Sequence, residues 1–149
     1  MHAVLVSLLL VSCILLAWPA GAPEAADALL PMLKPCPSSP NCVSSLAATK
    51  RHKIEPLRLQ QSAAKTMQLL KEVIAAYPRT KVIADSGTSL HAEFRVNTGF
   101  IDDVFFVIDE AAGVVHVRSA SRLGYWDFGA NRKRIEKFRL MYNERAGRQ

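Results

Sequence analysis

Ser89-Leu90-His91-Ala92-Glu93-Phe94-Arg95-Val96 alternates without a break. Leu90, Ala92, Phe94 and Val96 fall on one side of an extended backbone, and His91, Glu93 and Arg95 on the other. A period of two with one apolar side is the mark of a half-buried antiparallel strand. The pattern extends in both directions. Lys81–Asp85 reads as a short strand that enters through a Ser86-Gly87-Thr88 turn. Asn97-Thr98-Gly99 turns the chain again. Ile101–Asp109 and Val114–Ala120 then flank Glu110-Ala111-Ala112-Gly113 as a hairpin.

Outside this block the period lengthens. Ser62 is a natural N-cap, and Ala63, Met67, Leu70, Val73 or Ile74, and Tyr77 recur at helical spacing until Pro78 stops the helix. Leu57–Leu59 reads as a short extended piece after Pro56. A second helix is expected from about Asn131 to Tyr142, with Ile135, Phe138, Met141 and Tyr142 as its apolar stripe. The expected fold is α+β, with about four antiparallel strands and two helices packed on one face of the sheet. The 149 residues suffice for one domain. The expected division is a signal peptide or membrane anchor at 1–22, a linker at 23–33, a single α+β domain at 34–145 and a disordered tail at 146–149.

Residues 1–22 contain no Lys, Arg, Asp or Glu, and Ala3–Trp18 is an apolar run. Its length lies between that of a signal-peptide core and that of a membrane span. Ala20-Gly21-Ala22 offers a small-residue cleavage site, although Pro23 follows it. Leu10-Val11-Ser12-Cys13 is similar to a bacterial lipobox, with Cys13 as the lipidation candidate and apolar Ile14-Leu15-Leu16 behind it. Cleaved signal, retained anchor and lipoprotein stay open. All three place the domain in an exported setting, the periplasm or cell envelope, membrane-anchored in two of the three.

Once a leader is removed, Cys36 and Cys42 are the remaining cysteines. An even pair in an oxidising compartment reads as a disulfide. A redox-active pair or a metal half-site is the alternative, but both favour tighter spacing.

The formal charge is +6, and Gly129–Gln149 holds seven basic residues against two acidic ones. Such a segment favours an anionic small molecule, an acidic protein or anionic lipid, or it forms a solvated helix face. Arg132, Lys133 and Arg134 would occupy the first turn of the last helix, where the helix dipole disfavours cations. Either compensating acids or a bound anion should answer them. Arg118, Ser119, Ser121, Arg122, Asn131, Arg132 and Arg134 are therefore the anion-binding candidates. Pairing of these arginines with Asp102, Asp103 and Asp127 is the competing reading.

His91, Glu93 and His116 are metal candidates if their faces coincide. With a four-residue loop Asp109 opposes Val114, which puts His116 on the side of Phe105 and Val107. A one-residue slip reverses this. No motif implies a cofactor, a nucleophile elbow or a phosphate loop, and nothing suggests a nucleic-acid partner.

Four blocks in order carry a family resemblance: Cys36-Pro37-Ser38-Ser39-Pro40-Asn41-Cys42-Val43-Ser44-Ser45; Leu90-His91-Ala92-Glu93; Asp102-Asp103-Val104; and Arg118-Ser119-Ala120-Ser121-Arg122 through Asp127-Phe128-Gly129 and Asn131-Arg132. From about Lys34 to Tyr142 the chain resembles the bacterial and plastid domain of unknown function 1499. The resemblance implies exported or lipid-anchored proteins and no catalytic residue or cofactor. The functional expectation is an exported envelope domain, non-enzymatic, that binds an anionic ligand or acidic partner. The alternatives are a metal-dependent or hydrolytic enzyme and an assembly protein docking through its basic C-terminal helix.

Overall fold

The computed structural model describes residues 33–96 and 99–148. The expected leader at 1–22, the lipidation candidate Cys13 and most of the expected linker at 23–33 lie outside the described residues. Six strands form one antiparallel sheet: β1 (Cys42–Ser44), β2 (Leu57–Arg58), β3 (Thr80–Asp85), β4 (Ser89–Arg95), β5 (Ile101–Asp109) and β6 (Val114–Ser121). The spatial order is β1-β6-β5-β4-β3, with β2 also paired to β6. β1 takes residues 118–120 of β6 and β2 takes Val114 and Val115, so the two short strands share one sheet position.

The four longer strands are the four expected from the alternation. The sheet is larger than expected because β1 and β2 complete the edge of β6. Three and two residues are too few to display a period of two. Their strand character comes from the partner rather than from their own pattern.

α1 (Ala63–Ala76) begins where Ser62 Oγ accepts the Lys65 N–H at 3.2 Å. α2 (Ala130–Ala146) starts one residue before the expected position and runs four residues past Tyr142, into the stretch expected to be tail. Met67, Leu70, Val73 and Ile74 of α1 and Ile135, Phe138 and Tyr142 of α2 share one core with Leu90, Ala92, Phe94, Val104, Phe106, Val115 and Val117. Both helices thus cover the same sheet face, as expected. The rings of Phe106 and Phe138 meet at 4.8 Å. Tyr142 keeps its hydroxyl satisfied by donating to Arg58 O at 2.9 Å, which ties α2 to β2.

The Cys36–Cys42 disulfide is formed, with Cα atoms 5.6 Å apart. It closes the loop that leads into β1. Among the described residues no helix is long and apolar enough to cross a membrane.

Candidate functional site

Asp102 and Asp103 are neighbours in β5, so pleating sends them to opposite faces of the sheet. Each organises a separate network. On the helix-covered side Asp102 pairs with Arg134, and both are nearly excluded from solvent, with side-chain exposures of 4% and 6%. Arg134 Nη1 also donates to Ser119 Oγ at 3.1 Å and to Asn131 Oδ1 at 2.8 Å. Ser119 Oγ donates to Asn131 Oδ1 at 2.6 Å. Asn131 Nδ2 reaches Asn41 O at 3.1 Å, Ser121 Oγ at 3.0 Å and Asp127 Oδ2 at 2.8 Å. The guanidinium lies 5.5 Å from the Phe94 ring centroid.

Asp127 also caps α2. It accepts the Gly129 N–H at 2.9 Å and the Asn131 N–H at 2.9 Å. Asn131, the expected N-cap, instead sits inside the helix with its side chain buried in the network. Asp127 and Asp102 are the compensating acids for the cationic helix start. Burial pushes the Asp127 carboxyl up, but the hydrogen bonds from Asn131 and Gly129 outweigh it and hold it below the ordinary range.

The other face carries the second network. Arg122 grips Asp103 with two bonds, Nε to Oδ2 and Nη2 to Oδ1, each 2.8 Å, and reaches Glu93 Oε1 at 2.5 Å. His91 Nε2 lies 2.7 Å from Asp103 Oδ1, and its ring stacks on Phe105 at 4.3 Å. Burial raises the Asp103 carboxyl, yet the bonds from Arg122 and His91 leave it below the ordinary range. Arg118 faces the same way, across β5 from His91. Its Nε is buried without a hydrogen-bond partner among the described residues. That burial lowers the Arg118 pKa, with Asp103 opposing.

The seven anion-binding candidates therefore do not converge. Arg134, Ser119, Ser121 and Asn131 belong to the helix-side network, and Arg118 and Arg122 to the opposite face. Arg132 donates to Arg51 O at 2.8 Å. The hairpin has the register that follows from its four-residue loop, Asp109 opposite Val114 and Val107 opposite His116. His91, Glu93 and His116 consequently share a face. They do not share a site. β5 stands between the two histidines, about 10 Å at the backbone for two strand spacings, whereas a zinc–nitrogen bond is about 2 Å. Among the described residues no three His, Cys, Asp or Glu side chains are placed to hold a metal.

His116 has another occupation. Its Nδ1 lies 3.2 Å from Ser45 Oγ, and its Nε2 lies 3.6 Å from Asp109 Oδ2. This line has the residue types of a nucleophile triad, but Ser45 is 2% exposed and its Oγ accepts the Val117 N–H at 3.0 Å. The serine pins the chain after β1 to β6. A substrate has no approach to it.

A different place gathers unpaired cations. A groove of about 490 Å³ runs between the end of α1, the end of β4 and the start of α2. Arg79, Arg95, Lys133 and Lys137 line it, over Tyr77 and Phe94. Among the described residues none of these four cations pairs with a carboxylate. The two arginines are set side by side by the backbone, where Arg95 N donates to Arg79 O at 3.0 Å. Thr80 Oγ1 donates to Ile74 O at 2.7 Å and fixes the exit from α1. Arg79 itself has φ 58, a left-handed conformation that side chains avoid. Lys133 and Lys137 lie one helical turn apart, and Lys137 Nζ sits 5.0 Å from the Tyr77 ring centroid.

Of the expected candidates only Arg134 lines this groove, and its charge is committed to Asp102. Lys133 and Lys137 stand at i, i+4 spacing, and the acid between them, Glu136, is taken by Arg139 at 3.0 Å. Nothing in the local pattern links them to Arg79 or Arg95, which arrive from other elements.

The whole is an antiparallel sheet covered on one side by two helices, with two self-paired polar networks and one basic groove. The chain belongs to the family described as protein of unknown function (DUF1499), whose sequence profile matches residues 32–141. No curated protein and no solved structure matches the chain.

Proposed function

We propose that this is an exported envelope domain, non-enzymatic, that binds an anionic ligand or acidic partner in the groove formed by Arg79, Arg95, Lys133 and Lys137. The observation that carries this reading is the convergence of four cations from three segments with no carboxylate among the lining residues. Like charges so placed repel one another, and an anion relieves that repulsion while low-dielectric walls focus the field. Tyr77 and Phe94 supply such walls. The export part rests on the uncharged apolar run at 3–18 and on the disulfide between Cys36 and Cys42.

The buried, unpartnered Arg118 Nε favours a second reading, an anion contact on the opposite face. Titration of the full chain with inorganic pyrophosphate separates the two. Arg95→Glu with Lys133→Glu should weaken binding at least about tenfold, as expected for reversing two partly solvated contacts, while Arg118→Gln leaves it unchanged. Loss in Arg118→Gln with binding intact in the double variant would overturn the groove assignment, as would equal affinity in all three proteins.

A further inference from the structure

The loop after β6 displays its apolar side chains outward. Phe128 is 88% exposed, Leu123 65%, Trp126 62% and Tyr125 57%, and Phe100 beside them is 51% exposed. Contiguous exposed apolar surface on a small domain marks an interaction site. The display is not slack. Asn41 Nδ2 donates to Gly124 O at 2.5 Å, Asp127 is bound to the start of α2, and the Tyr125 and Trp126 rings meet edge to face at 5.5 Å. Phe128 holds a left-handed backbone, φ 52, while its ring contributes almost nothing to the core. A strained and solvated phenylalanine is maintained for something outside the chain.

Phe100, Leu123, Trp126 and Phe128 line an apolar depression of about 250 Å³. Val96 and Ala130 line both this depression and the basic groove, so the two are contiguous. Two carboxylates, Asp102 and Asp127, also line the depression, but Asp102 is paired with Arg134 and Asp127 accepts the N–H groups at the start of α2. The result is a surface with aromatic and aliphatic groups beside unpaired cations, whose acids already have partners within the chain.

Resting on the groove reading, we infer that the anion it takes is the head group of an anionic lipid in a bilayer surface, with Leu123–Phe128 inserted alongside. Trp, Tyr, Phe and Leu beside Lys and Arg match the interfacial layer, where rings sit at head-group depth and cations meet anionic lipid. Charge complementarity favours the bilayer over a protein partner, because the unpaired charges beside the loop, Arg79, Arg95, Lys133 and Lys137, all have the same sign. The chain path agrees. Pro40, two residues before the disulfide-bonded Cys42, lines a second depression with Trp126 and Phe128. The described chain begins only seven residues earlier, at Leu33, and the apolar run at 3–18 precedes that.

The chain has two tryptophans, Trp18 and Trp126. In the full-length Trp18→Phe protein Trp126 reports alone, so the emission reads the setting of the loop itself, and the neutral-vesicle and charge-reversed arms separate its insertion from association through residues 1–22. Vesicles of phosphatidylcholine mixed with phosphatidylglycerol should shift its emission to the blue, shield it from acrylamide and allow quenching by brominated acyl chains. Phosphatidylcholine vesicles should do none of these, and neither should the mixed vesicles with Arg95→Glu and Lys133→Glu. Phe128→Gly should unfold at the same or higher temperature, because glycine suits its φ, while the quenching falls severalfold. If Trp126 stays open to acrylamide while the chain binds pyrophosphate, the lipid assignment fails and the groove survives. If Trp126 is quenched equally in neutral vesicles and in the charge-reversed variant, anionic lipid is not the ligand. If pyrophosphate binding is also absent, the groove reading falls with it. A destabilised Phe128→Gly with unchanged quenching would make the loop structural and overturn the inference.

Discussion

Asp102 with Arg134 and Asp103 with Arg122 are the same chemical pair on opposite faces of one sheet. The first is sealed beneath the helices, with every neighbour committed to another. The second lies at the solvent boundary, with the Arg122 side chain 40% exposed. Identical residue types therefore carry different meanings. The buried pair specifies how α2 sits on the sheet. The surface pair aligns side chains on an otherwise flat face. The free cations are in neither network, and the arginines beside the two aspartates are already committed.

The largest expected effect tests the inner pair. Asp102→Ala should destabilise the domain by about 3–5 kcal/mol in denaturant unfolding, because it strands a buried guanidinium. Arg134→Met combined with Asp102→Leu should recover much of that. The matching Asp103→Ala and Arg122→Met changes should fall within the scatter of ordinary surface substitutions. Equal losses on the two faces would break the contrast.

Reduction of Cys36–Cys42 should cost about 2 kcal/mol or less, since the closed loop is short and its prolines already restrict the unfolded chain. Lost amide protection should concentrate around Asn41 and β1 and spare the Arg122 face. Global unfolding on reduction would show that the brace is not local.

The smallest effect is in acid. Asp103 and Asp127 both have folded pKa values below the ordinary carboxylate range. Their contribution is complete above the unfolded value of about 3.9 and is lost as pH falls through the lower folded values. Stability from these groups should thus hold from neutrality to about pH 5 and decline below about pH 4. Asp127→Ala should lower neutral stability by about 1 kcal/mol, the value of a helix cap, and flatten the acid limb. Asp103→Asn should flatten it less if the surface network is the weaker. The reverse order would recast the open face as the more important one.

Much of the fold was legible. Period two and period 3.6 located the four long strands and both helices, while the hairpin register stayed open between two alternatives until the pairing of Asp109 with Val114 decided it. β1 and β2 were less so, because their pairing partner lies far along the chain. The same alternation already separates Arg118 from Ser119 and Asp102 from Asp103, which is enough to divide the arginine cluster. What local pattern does not contain is which cations remain free. Arg79 and Arg95 meet through a single backbone hydrogen bond, and Lys133 comes from the far end of the chain. The aromatic loop has no period, so its outward display is visible only in three dimensions.

β1 pairs with β6 across more than seventy residues. A chain delivered N-terminus first offers β1 long before its partner exists. Its disulfide spans only six residues and can close at once, but the strand beside it must wait. The last sheet position is therefore filled late, and the slow, non-local step in assembly is this closure rather than the meander of β3 to β6. A domain built this way stays open at one edge for as long as its own C-terminal half is still arriving.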